Sequence, residues 1–150
     1  MNAHKNYSVL VVDDSEDDRF FLKKAIAQFP RFKILHELAD GTDVVAYLTG
    51  NGQYGDRKTY PWPDLLLLDL KMPYMTGYEV LRWLKSQSFP SITVIVLSGS
   101  VLQQDVEASL ALGAHGYWSK TANAEKQRLI ATEIEVLLDG RSKSIDQLCK

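Results

Sequence analysis

Residues 65–69 read Leu65-Leu66-Leu67-Leu68-Asp69, four leucines followed directly by an acid. No polar residue alternates within the run, so neither face of the segment is meant for water. A strand buried on both faces is what a parallel sheet covered by helices on each side requires. The aspartate that ends it brings charge to the edge of an apolar layer. That is costly unless the carboxylate has a partner or a role.

The same pattern recurs on either side. Tyr7 to Val12 is short, β-branched and ends at Asp13 and Asp14. Phe32 to Leu38 alternates like a strand. Ile92 to Leu97 ends at Ser98 and Gly99, and His115 to Ser119 ends at Lys120. Helical patterns lie between these runs. Ser15 is placed to cap a first helix, with Glu16, Asp17 and Asp18 favouring its dipole. Leu22, Ala25, Ile26 and Phe29 follow at helical spacing, and Pro30 stops them. Asp40 to Leu48 forms a second helix. Thr76 and Glu79 make a capping box for a third, with Gly77, Val80, Leu81 and Leu84 on one face. Leu102 to Leu112 runs to Gly113. Ala122 to Leu138 is the last, with Ile130, Ile134 and Leu137 inward and Gly140 closing it.

Thr49 to Pro63 differs. It contains Gly50, Asn51, Gly52, Gly55, Pro61 and Pro63, lacks periodicity and reads as a long loop, packed by its own Tyr54, Tyr60 and Trp62.

Strands and helices alternate throughout, giving an α/β fold of (βα)5 type with a doubly wound parallel sheet. One domain is expected over 1–140, with a polar tail over 141–150 anchored at most by Ile145 and Leu148. A chain of 150 residues, 45% hydrophobic, can bury one sizeable core. Its net charge of −2, with no basic run, argues against a nucleic-acid-binding face. The single Cys149 allows no internal disulfide and fits a reducing compartment. No apolar run approaches the roughly 18–20 residues of a membrane helix, and the N-terminus has no signal-peptide core. A cytoplasmic location is therefore expected, with no membrane contact. His4, His36 and His115 show no metal-ligand spacing.

In such a sheet, ligands bind beyond the carboxyl ends of the strands at the switch point of the topology. The flavodoxin-like order 2-1-3-4-5 places strands 1 and 3 side by side there. Asp13, Asp14, Asp69, Ser98, Gly99 and Lys120 should then converge. Three crowded carboxylates need a proton or a cation, and hard oxygen ligands suit Mg²⁺. A carboxylate beside Mg²⁺ can attack a phosphoryl group. Lys120 supplies a second positive charge, Ser98 can donate a hydrogen bond, and Gly99 leaves room.

These residues resemble the receiver domains of bacterial two-component response regulators. The matching pieces are Val-Val-Asp13-Asp14-Ser15, Leu-Leu-Asp69-Leu-Lys-Met-Pro73 with Gly77, Val-Leu-Ser98-Gly99 and Gly-Tyr117-Trp-Ser-Lys120. The resemblance covers roughly residues 7–138. It implies Asp69 as phosphoacceptor and Asp14 as a direct Mg²⁺ ligand. It implies Asp13 acting mainly through water, and the Lys71 backbone carbonyl completing the protein ligands. Ser98 and Tyr117 would be a switch pair reshaping the face of the fourth helix, fifth strand and fifth helix. The donor would be a histidine kinase or phosphotransfer protein, and the output a downstream protein target. Pairing of copies through the tail is left open.

Two features depart from the usual pattern. Thr121 follows Lys120 where proline is common, often with a cis peptide. A cis bond without proline would cost about 3 kcal/mol, and the sequence leaves the geometry of this peptide and the shape of the loop after it open. The 49–63 loop is longer than in most receivers. A longer loop, with no output domain, is similar to the small stand-alone regulators paired with bacterial phytochromes. Two rival readings remain. One is a scaffold that is never phosphorylated. The other is a Mg²⁺-dependent phosphohydrolase, against which stand the missing cap segment and the Asp13-Asp14-Ser15 order. On the receiver reading the chain is no enzyme beyond its own phosphorylation and dephosphorylation.

Overall fold

The computed structural model describes residues 5–100 and 102–148, and side chains up to residue 141. His4 and Cys149 lie outside the described residues, and Ile145 and Leu148 outside the described side chains. The strands are β1 (Tyr7–Val12), β2 (Phe32–Leu38), β3 (Leu65–Leu68), β4 (Thr93–Ser98) and β5 (Gly116–Ser119). The helices are α1 (Glu16–Ile26), α2 (Gly41–Thr49), α3 (Gly77–Lys85), α4 (Gln103–Ala111) and α5 (Ala124–Leu148). All pairings are parallel, in the order β2-β1-β3-β4-β5. This is the flavodoxin-like arrangement expected from the strand-helix alternation.

The four leucines of β3 divide between two cores. Leu66 and Leu68 join Leu10, Val12, Val94 and Val96 under α2 and α3. Leu65 and Leu67 join Val9, Val11, Ile95 and Leu97 under α1 and α5. All four leucines are fully buried. Each contributes about 1.5–3 kcal/mol of transfer free energy, so an unbroken apolar run is what this central position favours. Tyr117 and Trp118 of the edge strand β5 point to opposite cores.

The caps follow the sequence closely. Ser15 accepts from the Asp18 N–H, Asp40 from the N–H groups of Thr42 and Asp43, and Thr76 and Glu79 complete a capping box. The 49–63 loop holds a short 3₁₀ turn, Gly52–Gly55. Arg57 donates to the carbonyls of Tyr47 and Leu48, closing the end of α2, while the Tyr47 hydroxyl donates to Pro61. Tyr54 and Tyr60 pack edge-on, as expected, and both also meet Tyr47. Trp62 instead packs against Phe89.

Two expectations need correction. Phe29 lies beyond α1, which ends at Ile26, before Pro30 can act on it. Gly140 does not close the last helix, because α5 continues to Leu148. An interior glycine costs only about 1 kcal/mol, too little to stop a helix held on both sides of it. Before it, Arg31 grips Asp139, with contacts at 3.0 and 2.5 Å. After it, Arg141 donates to the Thr93 hydroxyl at 2.7 Å. The boundary placed at 140 therefore falls inside a helix. No cis peptide occurs among the described residues, so Lys120–Thr121 is trans.

Candidate functional site

Asp13 and Asp69 stand at neighbouring strand ends because β1 and β3 pair through Val12 and Leu68. The Asp69 N–H donates to the Val12 carbonyl at 3.0 Å, and the Asp13 N–H to Leu38 at 3.0 Å. Both side chains are buried, whereas Asp14 is exposed. One ligand oxygen from each of Asp13, Asp14 and Asp69 lies within 4.8 Å of the others. Ligands on opposite sides of Mg²⁺ stand roughly 4.2 Å apart, so small side-chain movements would let the three oxygens share one hard cation. The donor set fits such an ion in chemistry and in spread.

Lys120 supplies the positive charge. Its ammonium lies 2.7 Å from Asp13, 2.9 Å from Asp18 and 3.5 Å from Asp69. Its backbone N–H donates to the Ser98 carbonyl at 2.8 Å, which fixes the end of β5 against the end of β4. Burial alone would lower the lysine pKa. The hydrogen bonds to Asp13 and Asp18, together with the negative charges of Asp69 and Asp13, outweigh that and raise it above the usual range, so the ammonium stays charged.

Asp69 is pushed up to about 6, chiefly by burial. Lys120 opposes the rise, Asp13 adds to it, and the Leu70 N–H, donating at 2.9 Å, again opposes it. A carboxylate so placed is poorly solvated and gains by binding a cation or by losing its charge.

Ser98 is buried, and its hydroxyl oxygen accepts from the Ser100 N–H at 3.2 Å. A Cβ at position 99 would stand in open space, so the room beside Gly99 exists without the backbone demanding glycine. Tyr117 is half-buried and donates to the Ser100 carbonyl at 2.9 Å. Lys71 follows in the β3–α3 loop with its side chain exposed.

Four contributors were not foreseen in these roles. Asp18 reads in sequence as a helix-dipole residue, yet it binds Lys120. Arg19 donates to the Asp13 backbone carbonyl at 2.6 Å, holding that strand end from α1. Asp105 accepts from the Tyr78 hydroxyl at 2.5 Å and from the Ser100 hydroxyl. No local signal marks these pairs, since their partners are set by the fold. Gly77 was legible as a motif residue, but its contact was not: a Cβ there would lie 2.3 Å from the Asp69 carbonyl oxygen.

Residues 9–132 match the family model described as the response regulator receiver domain. The chain belongs to the response regulator receiver family. Among curated relatives of this receiver, the response regulator Rcp1 of Synechocystis is 34% identical over 116 residues, 77% of each chain. A probable cyclic di-GMP phosphodiesterase of Vibrio cholerae is 33% identical over 140 residues, but the receiver spans only 28% of that protein's length. Among solved structures, the phosphorylated cyanobacterial phytochrome response regulator RcpA is similar. It has a TM-score of 0.75 and 32% identity, over 87% of this chain and 91% of that one. The Mn²⁺-bound form of Rcp1 gives 0.71 and 31%, over 86% and 91%. The receiver is thus a two-component signalling module, and no helix among its described residues is long and apolar enough to cross a membrane.

Proposed function

We propose that this receiver accepts a phosphoryl group on Asp69 from a histidine kinase and passes the signal on by protein contact. The observation that carries this is the meeting of three carboxylates within 4.8 Å beside the Lys120 ammonium. Asp13, Asp14 and Asp69 would hold Mg²⁺, joined by the Lys71 backbone carbonyl. When bound, the cation supplies charge neutralisation for the transferring phosphoryl oxygens.

The remaining work falls to side chains. An Asp69 carboxylate oxygen forms the new P–O bond as the donor's P–N bond breaks, and the electron pair returns to the donor imidazole. Lys120 balances the charge gathered on the phosphoryl oxygens, and the Ser98 hydroxyl turns toward them. Tyr117, one strand away, follows that movement and alters the α4–β5–α5 face that a partner reads. The likeness to RcpA and Rcp1, and to the bacteriophytochrome response regulator RtBRR (27% identity, TM-score 0.71), supports a phytochrome-type kinase as donor.

The test is incubation with Mg²⁺ and acetyl phosphate, followed by mass spectrometry for a hydroxylamine-sensitive phosphate. Wild type should carry it on Asp69, and Asp69→Asn should not. Absence of label on wild type, or equal label on the variant, sinks the proposal. Lys120→Ala should still be labelled but should lose the conformational response.

A further inference from the structure

The Lys120 ammonium has three N–H donors and three carboxylate neighbours. Two of those neighbours, Asp13 and Asp69, also belong to the cluster suited to a divalent cation. They cannot serve both charges equally well. A carboxylate oxygen committed to a dication is a weaker acceptor, and the dication repels the ammonium beside it. Asp18 is outside the cluster. Its carboxylate approaches from the first turn of α1, is 45% exposed, and binds Lys120 at 2.9 Å.

The first turn of α1 is held in place. Ser15 caps it by accepting the Asp18 N–H, and Arg19 ties it to the Asp13 carbonyl. Asp18 is thus presented to Lys120 by a fixed backbone rather than by a freely swinging segment. The plain alternative is an ordinary surface ion pair, which solvent screens and which has no bearing on the cation site. Against this, Lys120 sits with only 27% of its side chain exposed, and its other two partners are buried.

We infer that Asp18 is a positioning residue of the site: it keeps the Lys120 ammonium when a divalent cation takes Asp13 and Asp69, and so sets the affinity for that cation. The inference rests on the cation site proposed above. Without Asp18, the lysine has only the cation's own ligands to turn to, and the two positive charges compete. With Asp18, the lysine stays within reach of Asp69 while giving up Asp13.

The test is a double-mutant cycle on the full chain, with Mn²⁺ alone as probe and free Mn²⁺ counted by electron paramagnetic resonance. Asp18→Asn should raise the Mn²⁺ Kd about fivefold, the scale of a well-held, partly exposed ion pair. In the Lys120→Ala background the same change should shift Kd by less than about twofold, since only long-range Coulomb attraction remains. Asp18→Glu should recover most of the wild-type affinity. Equal losses in both backgrounds, or no loss with Lys120 present, overturn the role given to Asp18 and leave the cation site standing. Failure of wild type to bind Mn²⁺ overturns both.

Discussion

Gly77 opens α3 so close to Asp69 that a Cβ at position 77 would lie 2.3 Å from the Asp69 carbonyl oxygen and 2.7 Å from the Leu70 Cα. These neighbours are backbone and cannot swing aside. The Gly77 N–H donates to the Leu70 carbonyl at 2.9 Å, locking the helix start onto the loop that carries the acid. Gly77→Ala should therefore destabilise the fold by roughly 1–3 kcal/mol, as overpacking does. Urea denaturation measures this, and acetyl phosphate labelling of Asp69 should slow in parallel. An unchanged urea midpoint would show that the loop yields freely.

Asp69 should make stability depend on pH in an unusual direction. Its pKa is raised from the usual 3.8 to about 6. Below about 3.8 the carboxyl is protonated in folded and unfolded chains alike, so it costs nothing. As pH rises through 6, the folded protein must carry a charge it disfavours, a cost of roughly 3 kcal/mol. Asp69→Asn removes that cost. In a chelator, the variant should be the more stable protein at pH 8, and its advantage should fade as pH falls toward 4. Parallel urea curves at several pH values decide it, and a constant difference would contradict the burial argument.

His115 should act in the opposite sense. Its Nδ1 accepts the Val94 N–H at 3.0 Å, using a lone pair that protonation removes. Burial first, then the charge of Arg141, lowers its pKa below the usual 6.5. The stability it contributes is complete above 6.5 and is lost as pH falls through the lowered value. In an Asp69→Asn background the urea midpoint should fall between pH 7.5 and 5, and His115→Gln should flatten that fall. Persistence of the full drop in the glutamine variant would place its origin elsewhere.

The strand ends were legible because burial on both faces forces an unbroken apolar run, and the residue that breaks it stands out. Asp13, Asp69 and Lys120 could be brought together on paper once the strand order was set. Asp18 could not, because its partner is 102 positions away and acids in a first helical turn already have a local explanation. Gly140 misled for an energetic reason: glycine past a helix end and glycine inside a helix look alike, and tertiary anchoring decides. Arg31, just before β2, binds Asp139 of α5, and Thr93, at the start of β4, accepts from Arg141 of α5; no local pattern links either partner to that helix.

Tyr117 ties β5 to the β4–α4 loop by donating to the Ser100 carbonyl at 2.9 Å. The chain of contacts continues, since the Ser100 hydroxyl donates to Asp105 and the Tyr78 hydroxyl reaches the same carboxylate at 2.5 Å. One hydroxyl thus closes a network running from the edge strand through the loop and α4 to α3. Tyr117→Phe keeps the ring and removes that link. The Ser100 carbonyl then loses its donor, at a cost of about 1 kcal/mol. The loss should appear locally as faster amide hydrogen exchange across Gln103–Ala111, with the α1 amides unchanged. Equal protection of α4 in the two proteins would mean that Asp105 and Tyr78 hold the helix without Tyr117, and that the hydroxyl carries no signal to that face.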